Sequence, residues 1–446
     1  MRTDRLSIPA TVLQLTDVRD EPSARDVPWI PLFLTALVLR AALSAVPPLT
    51  NALNGEAIPG AKLALPVWYV VLAPWCDSLD TLSLFSQRQH FAFLITVSVV
   101  YAMWRLARRY WSRREITSLP REGAGAGLVL SAALTIYATG CLLPRPTPRL
   151  EMASSDAIVV DFHSHTNASW DGRAGFTPEE SRLWHRKSGF DVAYITDHGT
   201  FAGAEMATAG NPARAGDGTV LLSGIEVRSR GRHLNVLGTS AADSAAYSSG
   251  DLQEEIFRDQ VREGKTIPPV VLLTLPGSID PRGSTIPVDA IEISDGAPRA
   301  LAQIDAQRSK LMELAALENM AMVAGSNNHG WASASPAWSV LDIPDWRSMS
   351  PQQLDVAIRA VILERGVKAV SVVARRPAGS TSSLGLIWTV PSAIWHMLTV
   401  LSWSERVSWI GWIWAAWLLS TLLAVQSRRG SDKLRSRRLA LVERGA

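Results

Sequence analysis

Ile158-Val159-Val160-Asp161-Phe162-His163-Ser164-His165 is the stretch on which the fold turns. A β-branched apolar run ends there in a His-x-His pair. Residues two apart in a strand point to one face. His163 and His165 therefore aim two imidazoles at one point, near the strand's C-terminal end. Neutral imidazole is the commonest side-chain metal ligand. The bland alternative is a chance pair of solvated histidines. With only 8 His in 446 residues, the pair alone leaves the two readings even.

Around this stretch, from about residue 150 to 380, apolar β-branched runs alternate with helical stretches. Strands are expected at 157–163, 192–196, 220–227, 233–238, 269–275, 290–293, 321–325 and 367–374, and helices at 177–189, 251–264, 298–319 and 350–365. Thr177-Pro178-Glu179-Glu180 and Ser350-Pro351-Gln352-Gln353 both read as helix starts, with a capping hydroxyl and Pro at the first position. Strands alternating with helices imply an α/β fold with a parallel sheet or barrel. The active sites of such barrels gather at the C-terminal strand ends.

The flanks differ in character. Residues 1–28 form a polar tail without the pattern of a cleaved signal peptide. Apolar runs at 29–47, 89–107 and 126–143 read as three transmembrane helices, since about 20 apolar residues span a bilayer. Arg40 lies inside the first and must snorkel or pair. Leu63 to Trp75 is short and reads as re-entrant or interfacial. A Pro-rich linker, Pro144 to Pro148, closes this membrane domain (29–149). Residues 381–427 are again apolar and Trp-rich, and residues 428–446 form a basic tail. Arg105, Arg108, Arg109, Arg113 and Arg114 put the loop after the second helix in the cytoplasm by the positive-inside rule. The third helix then runs outward, and the middle domain lies on the extracytoplasmic side of the cell membrane. The basic tail favours the cytoplasm. One crossing at 407–425 with an interfacial segment at 384–401 satisfies both charge arguments, whereas two crossings break one of them.

Composition excludes some classes. A net charge of +3 with pI near 9.0 is too weak and dispersed to argue for nucleic acid. Two cysteines, Cys76 and Cys141, rule out a disulfide framework and a Cys-based zinc site. Most of the 17 Trp flank the apolar runs, as in the aromatic belts of membrane proteins. The expected partners are the lipid bilayer and a small-molecule substrate.

Chemistry-bearing residues recur at successive strand ends. Asp171-Gly172 follows the His pair, then Thr196-Asp197-His198, Gly224-Ile225-Glu226, His233 and Gly325-Ser326-Asn327-Asn328-His329. Several His and carboxylates on one rim suit a two- or three-metal site, with Glu226 as the bridging carboxylate. Together these motifs, in this order and spacing, resemble the PHP (polymerase and histidinol phosphatase) superfamily over roughly half the chain. The resemblance implies a distorted (β/α)7 barrel with divalent Mn, Zn or Fe ions, hydrolysing phosphoesters or, in some branches, carbamate, other ester or amide bonds. By the same resemblance His163, His165 and Glu226 hold a first ion, and Asp171, His198 and His329 another. Glu226 would bridge to an ion also held by His233. Glu226, His198 and His329 are the residues expected at the reaction. Two positions depart from the family. Asn327 stands where the family has Asp, and Leu275 where it has a His ligand. Leu cannot coordinate, and Asn brings no charge and cannot act as a base. Two ions are therefore expected, and a catalytically weakened binding or sensing module is the alternative to an enzyme.

Other groups carry weaker signals. Asp156, Asp161 and Asp197 read either as partners orienting imidazoles or as strand-end caps. His185 reads as a surface or packing residue, and His90 and His396 as interfacial. Arg228, Arg230 and Arg232 could hold an anionic substrate or simply edge a strand. Trp331 and Trp338 line a pocket or pack.

Overall fold

The computed structural model describes residues 28–112, 119–275, 287–375 and 385–444. The polar tail, Arg113, Arg114, Pro276 and the start of the C-terminal apolar stretch lie outside them. The described chain forms two units, one from Ala41 to Trp409, the other from the residues up to Arg40 and from Ile410 onward.

In the larger unit a ten-stranded sheet surrounds the site. Its strands are β1 (Thr50–Asn51), β4 (Ala157–Ser164), β5 (Val192–Ile195), β6 (Val220–Ser229), β7 (Arg232–Leu237), β8 (Val270–Leu275), β9 (Ala290–Asp295), β10 (Ala321–Gly325), β11 (Ala337–Asp342) and β12 (Ser371–Ala374). They lie in the order β1-β12-β11-β4-β5-β6-β7-β8-β9-β10. β2 (Ala61–Ala64) and β3 (Arg149–Met152) make a separate antiparallel pair. The sheet curls until the chain after β10 meets β4. The N–H of Asn327 donates to the His163 carbonyl at 2.7 Å, and that of His165 to the Asn328 carbonyl at 3.2 Å.

The sheet is mixed, not parallel throughout as the strand–helix alternation suggested. β6 and β7 are joined by Arg230 and Gly231 with φ of 51° and 76°. A two-residue turn with both φ positive makes a tight hairpin and forces antiparallel pairing. β11 also pairs antiparallel, with β4 and β12. Even so β4, β5, β6, β8, β9 and β10 run in one direction, and their C-terminal ends share a rim. His233 is the second residue of β7, which runs the other way and so begins at that same rim.

β4 is buried along its whole length. Ile158, Val160 and Phe162 enter one apolar cluster, and Ala157 and Val159 another. Fully burying such a side chain stabilises by about 1.5–3 kcal/mol. Phe162 packs against Tyr194, with ring centroids 5.9 Å apart. Trp338 is buried and its Nε1–H donates to the Ser188 carbonyl at 2.9 Å, so it packs and lines no pocket.

Twelve helices are present among the described residues: α1 (Trp29–Ala42), α2 (Val67–Val71), α3 (Ala73–Ser83), α4 (Gln87–Ser112), α5 (Leu119–Leu142), α6 (Pro178–Ser188), α7 (Ala202–Ala209), α8 (Glu254–Ile256), α9 (Pro298–Leu317), α10 (Pro351–Arg365), α11 (Gly385–Val400) and α12 (Trp403–Arg444). α6 and α10 begin at the expected caps. The Thr177 hydroxyl accepts from Glu180 N–H, and Ser350 and Gln353 form a reciprocal capping box. The helix expected at 251–264 is a three-residue α-turn, α8, running into a π-helix over Phe257–Arg262. The strand expected at 367–374 shortens to β12 because a 3₁₀ turn occupies Gly366–Lys368.

Among the described residues, three helical segments are long and apolar enough to cross a membrane: Gln87–Tyr110, Arg121–Gly140 and Trp403–Gln426. α1 ends at Ala42, not Pro47, and its 14 residues rise about 21 Å, short of the roughly 30 Å hydrocarbon core. Leu63 to Trp75 becomes the end of β2, the short α2 and the start of α3. In α3, Asp80 is 1% exposed and accepts hydrogen bonds from Arg145 (2.7 and 3.0 Å), Arg375 (2.7 Å) and Tyr69 (3.0 Å). One carboxylate thus ties α3 to the linker after α5 and to the chain leaving β12.

Candidate metal centre

The rim brings seven of the eight residues singled out as ligands into direct contact, with the Asn327 side chain at their border. His163 Nε2 lies 3.1 Å from His165 Nε2 and 3.0 Å from Glu226 Oε2, and His165 Nε2 lies 3.3 Å from the same oxygen. All three side chains are buried. On the solvent side, His198 Nδ1 is 3.4 Å from Glu226 Oε2, and His198 Nε2 is 3.5 Å from both Asp171 Oδ2 and His329 Nε2. His329 Nε2 is 3.2 Å from Asp171 Oδ1, and its ring stacks on His165 with centroids 3.9 Å apart. His165, His198 and His329 form a second group able to hold an ion. His233 Nδ1 meets the other Glu226 oxygen at 2.6 Å. Glu226 thus touches four imidazoles.

The far nitrogens explain why these atoms converge. His163 Nδ1 faces the Glu292 carboxylate at 3.0 Å. His165 Nδ1 faces Ser169 Oγ at 3.0 Å, and that hydroxyl donates to Asp197 at 3.0 Å. Each ring therefore keeps a proton on Nδ1. Both Nε2 lone pairs then point at each other and at a carboxylate oxygen. Three acceptor atoms within 3.3 Å repel unless a cation or a proton lies between them. The donor set, imidazole and carboxylate, is what Zn, Mn or Fe takes. The residues therefore fit a divalent metal.

Without an ion, a proton on His163 fills that place. Burial pushes Glu226 upward, but His163 and hydrogen bonds from the surrounding imidazoles outweigh it and hold the carboxylate well below its usual range. Burial pushes His163 down, yet Glu292 and Glu226 outweigh it and hold the ring well above its usual value. Burial, with His329 beside it, keeps His165 neutral, and burial also lowers His329.

Glu292 and Asp295, both buried on β9, belong to the site and were not anticipated. Their one sequence signal is a carboxylate inside an otherwise apolar strand, Ala290-Ile291-Glu292-Ile293. They contact the Nδ1 side of His163, where a carboxylate orients a ligating imidazole and raises its basicity. Burial, then Asp295, pushes Glu292 to about 8, and burial pushes Asp295 to about 6. Above about pH 8, where Glu292 is ionised, Glu292→Gln keeps the shape and loses the charge, and it is expected to weaken metal affinity about 10–100-fold, read by competition with a chelator. Unchanged affinity would show that this contact does not support the centre.

Asn327 sits in the left-handed region at φ 44°. Its amide N–H donates to Asp295 at 3.0 Å and its carbonyl receives His329 Nδ1 at 3.1 Å, while its buried Oδ1 has no hydrogen-bond partner among the described residues. Leu275 pairs in register with His233. Asp161 does not orient a rim imidazole. It accepts from the backbone N–H of His163 and Ser326 and pairs with buried His185 at 2.9 Å. Asp156 meets Ser155 and lies apart from the imidazoles. Trp170 stacks over His198 at 5.9 Å. His90 packs between Phe85 and Tyr137. A cavity of about 490 Å³ lies elsewhere, lined by Leu63, Phe85, His396 and Met397, and holds none of the rim residues.

No protein-family model and no curated protein sequence matches the chain. Solved structures do overlay on part of it. PsfC from Pseudomonas syringae is 15% identical with a TM-score of 0.35, covering 55% of this chain and 100% of that one. The lesion-specific endonuclease PfuEndoQ from Pyrococcus furiosus is 15% identical with a TM-score of 0.33, covering 48% and 57%. An amidohydrolase from Chromobacterium violaceum is 15% identical with a TM-score of 0.26, covering 50% and 99%. Likeness at that level carries no functional weight; the donor geometry does.

Proposed function

We propose that this chain is a membrane-anchored, metal-dependent hydrolase of the PHP type that cleaves a phosphoester, its curled sheet a distorted form of the (β/α)7 barrel. The convergence of His163 Nε2, His165 Nε2 and Glu226 Oε2 carries this reading. His163, His165 and Glu226 would hold one divalent ion. Asp171, His198 and His329 would hold a second, with Glu226 shared. An ion bound there polarises a phosphoryl oxygen and lowers the pKa of water. The chain's own residues orient the donors. Glu292 holds the proton of His163, Ser169 and Asp197 hold that of His165, and the Asn327 carbonyl holds that of His329. His329 Nε2 is thereby kept as a lone pair facing the open side. His198 covers the same side, and Asn327, a neutral amide, takes no proton.

The test uses the full-length protein in detergent. Elemental analysis is expected to find Mn, Zn or Fe in the natural protein and none in His163→Ala. Hydrolysis of p-nitrophenyl phosphate or its bis ester should follow the metal. Metal without turnover on phosphoesters, carbamates or amides would favour a binding or sensing module, the reading that Leu275 and Asn327 support.

The catalytic domain is proposed to face away from the cytoplasm. β1 precedes α4 and β12 follows α5, yet they pair in one sheet. That pairing supports both ends of the α4–α5 hairpin lying on one side, opposite the Arg-rich loop. The Thr399 carbonyl at the end of α11 accepts from Val46 N–H at 3.3 Å, which supports α11 staying with the domain while α12 makes the single return. Reporter fusions at Ser118 and Ser240 should give opposite signals; matching signals refute the orientation.

A further inference from the structure

We propose that the metal centre opens onto the bilayer surface and that its substrate is a phosphoester carried in a lipid headgroup. The inference rests on the membrane-anchored hydrolase reading, and its first test is independent of turnover.

Strand direction places the rim at the membrane end of the larger unit. β11 is antiparallel to both β4 and β12, so β12 ends where β4 does, at the rim. Ala374 pairs with Ala337, and Ser339 with Val160, which brings the end of β12 level with Phe162, two strand spacings or about 10 Å away. Arg375, the next residue, donates to Asp80 on α3 at 2.7 Å. The ends of the membrane segments gather on the same α3. Arg145, just past α5, donates to Asp80 at 2.7 Å, and Trp409, in the first turns of α12, donates to Asp77 at 2.9 Å. α4 starts at Gln87, shortly after α3 ends at Ser83. The helices long enough to span therefore leave the domain from the end of the sheet that bears the imidazoles.

The surface at that mouth is aromatic. Trp170, over His198, is 78% exposed, and Trp331, two residues past His329, is 53% exposed. The other tryptophans between β3 and β12, namely Trp184, Trp338 and Trp346, are half-buried or buried. Indole is enriched at the headgroup level of a bilayer, where its ring meets apolar carbon and its N–H meets water. A cavity suited to an alkyl chain lies on the same side. It holds about 490 Å³, a size usual for ligand sites, between Val46, Leu65, Phe85, Ala306 on α9, and Met397 and Val400 on α11. Its acidic groups are engaged within the protein, Asp77 by Trp409 and Glu405 by the backbone N–H of Ser402 at 2.6 Å. Arg375 forms part of its wall, so a single lipid spans from the cavity to the rim.

The test places the full-length protein in phosphatidylcholine nanodiscs, with Cys141→Ser so that only the buried Cys76 remains. A bimane label is attached at Trp331→Cys or Trp170→Cys beside the rim, or at Lys187→Cys, exposed at the end of α6 remote from the rim. Phosphatidylcholine carrying a nitroxide on its headgroup should quench the two rim labels about threefold more than the Lys187→Cys label. Quenching no greater at the rim than at the remote end overturns the inference. Turnover supplies the second readout. With Mn bound, hexadecyl p-nitrophenyl phosphate in mixed micelles should show a KM about tenfold below that of ethyl p-nitrophenyl phosphate, and Ala306→Trp, which fills the cavity, should bring the two within about twofold. Equal KM values in the natural protein overturn the lipid substrate. If neither ester is hydrolysed, the hydrolase reading falls, and the quenching still decides whether the centre faces lipid.

Discussion

On the proposed hydrolase reading, Glu226→Gln is expected to strip the centre of its metal and to lower turnover by at least about 10³-fold, a loss of roughly 4 kcal/mol in transition-state stabilisation. The size follows from position. One carboxylate oxygen faces His163, His165 and His198, and the other faces His233. An amide puts an N–H donor where an anion stood, and it can hydrogen-bond to the Nε2 lone pairs that otherwise repel. The variant should therefore melt no lower than the metal-free natural protein. Elemental analysis and thermal unfolding on the same samples separate the two effects. A variant that retains its full metal content excludes Glu226 as a ligand.

Asp80→Asn destabilises the larger unit by about 3–5 kcal/mol, the usual cost of removing one partner of a buried ion pair. Arg145 and Arg375 both point at this carboxylate, and their side chains are 5% and 12% exposed. Without the anion, two guanidinium groups remain buried beside each other. Denaturant unfolding in detergent reads the loss. A change below about 1 kcal/mol would mean that water reaches the arginines and that the carboxylate does not tie the three segments together.

Legibility in the sequence tracked how local each signal was. The Thr177 and Ser350 caps, the β-branched run of β4 and the apolar runs at 89–107, 126–143 and 407–425 are short-range patterns, and they fall where the residues indicate, whereas the run at 29–47 gives only the shorter α1. β11 was missed because Ala337-Trp338-Ser339-Val340-Leu341-Asp342 shows no clear period. Ser339 looks polar but is buried, bonding the Ala324 backbone. α7 was missed because Ala202-Gly203-Ala204 has little apolar surface to mark a face. At the site, the His pair, His198, Glu226 and His329 were visible because each ends or follows an apolar strand. Glu292 matters only through its contact with a ring 129 positions away, which no local pattern contains. The direction of β7 hung on a two-residue turn that a parallel reading passes over.

The pairing of β1 with β12 also governs how this protein can be dissected. A fragment beginning near residue 150 would include β11 and β12 but not β1. The backbone donors and acceptors on the β1 side of β12 would then be bare, and an unpaired sheet edge is a template for aggregation. The same fragment would lack Asp80 and leave Arg375 without its counter-ion. Poor yield from such a truncation would reflect a missing piece of its own sheet. A soluble version has to start before Thr50 and replace the α4–α5 hairpin with a short polar bridge.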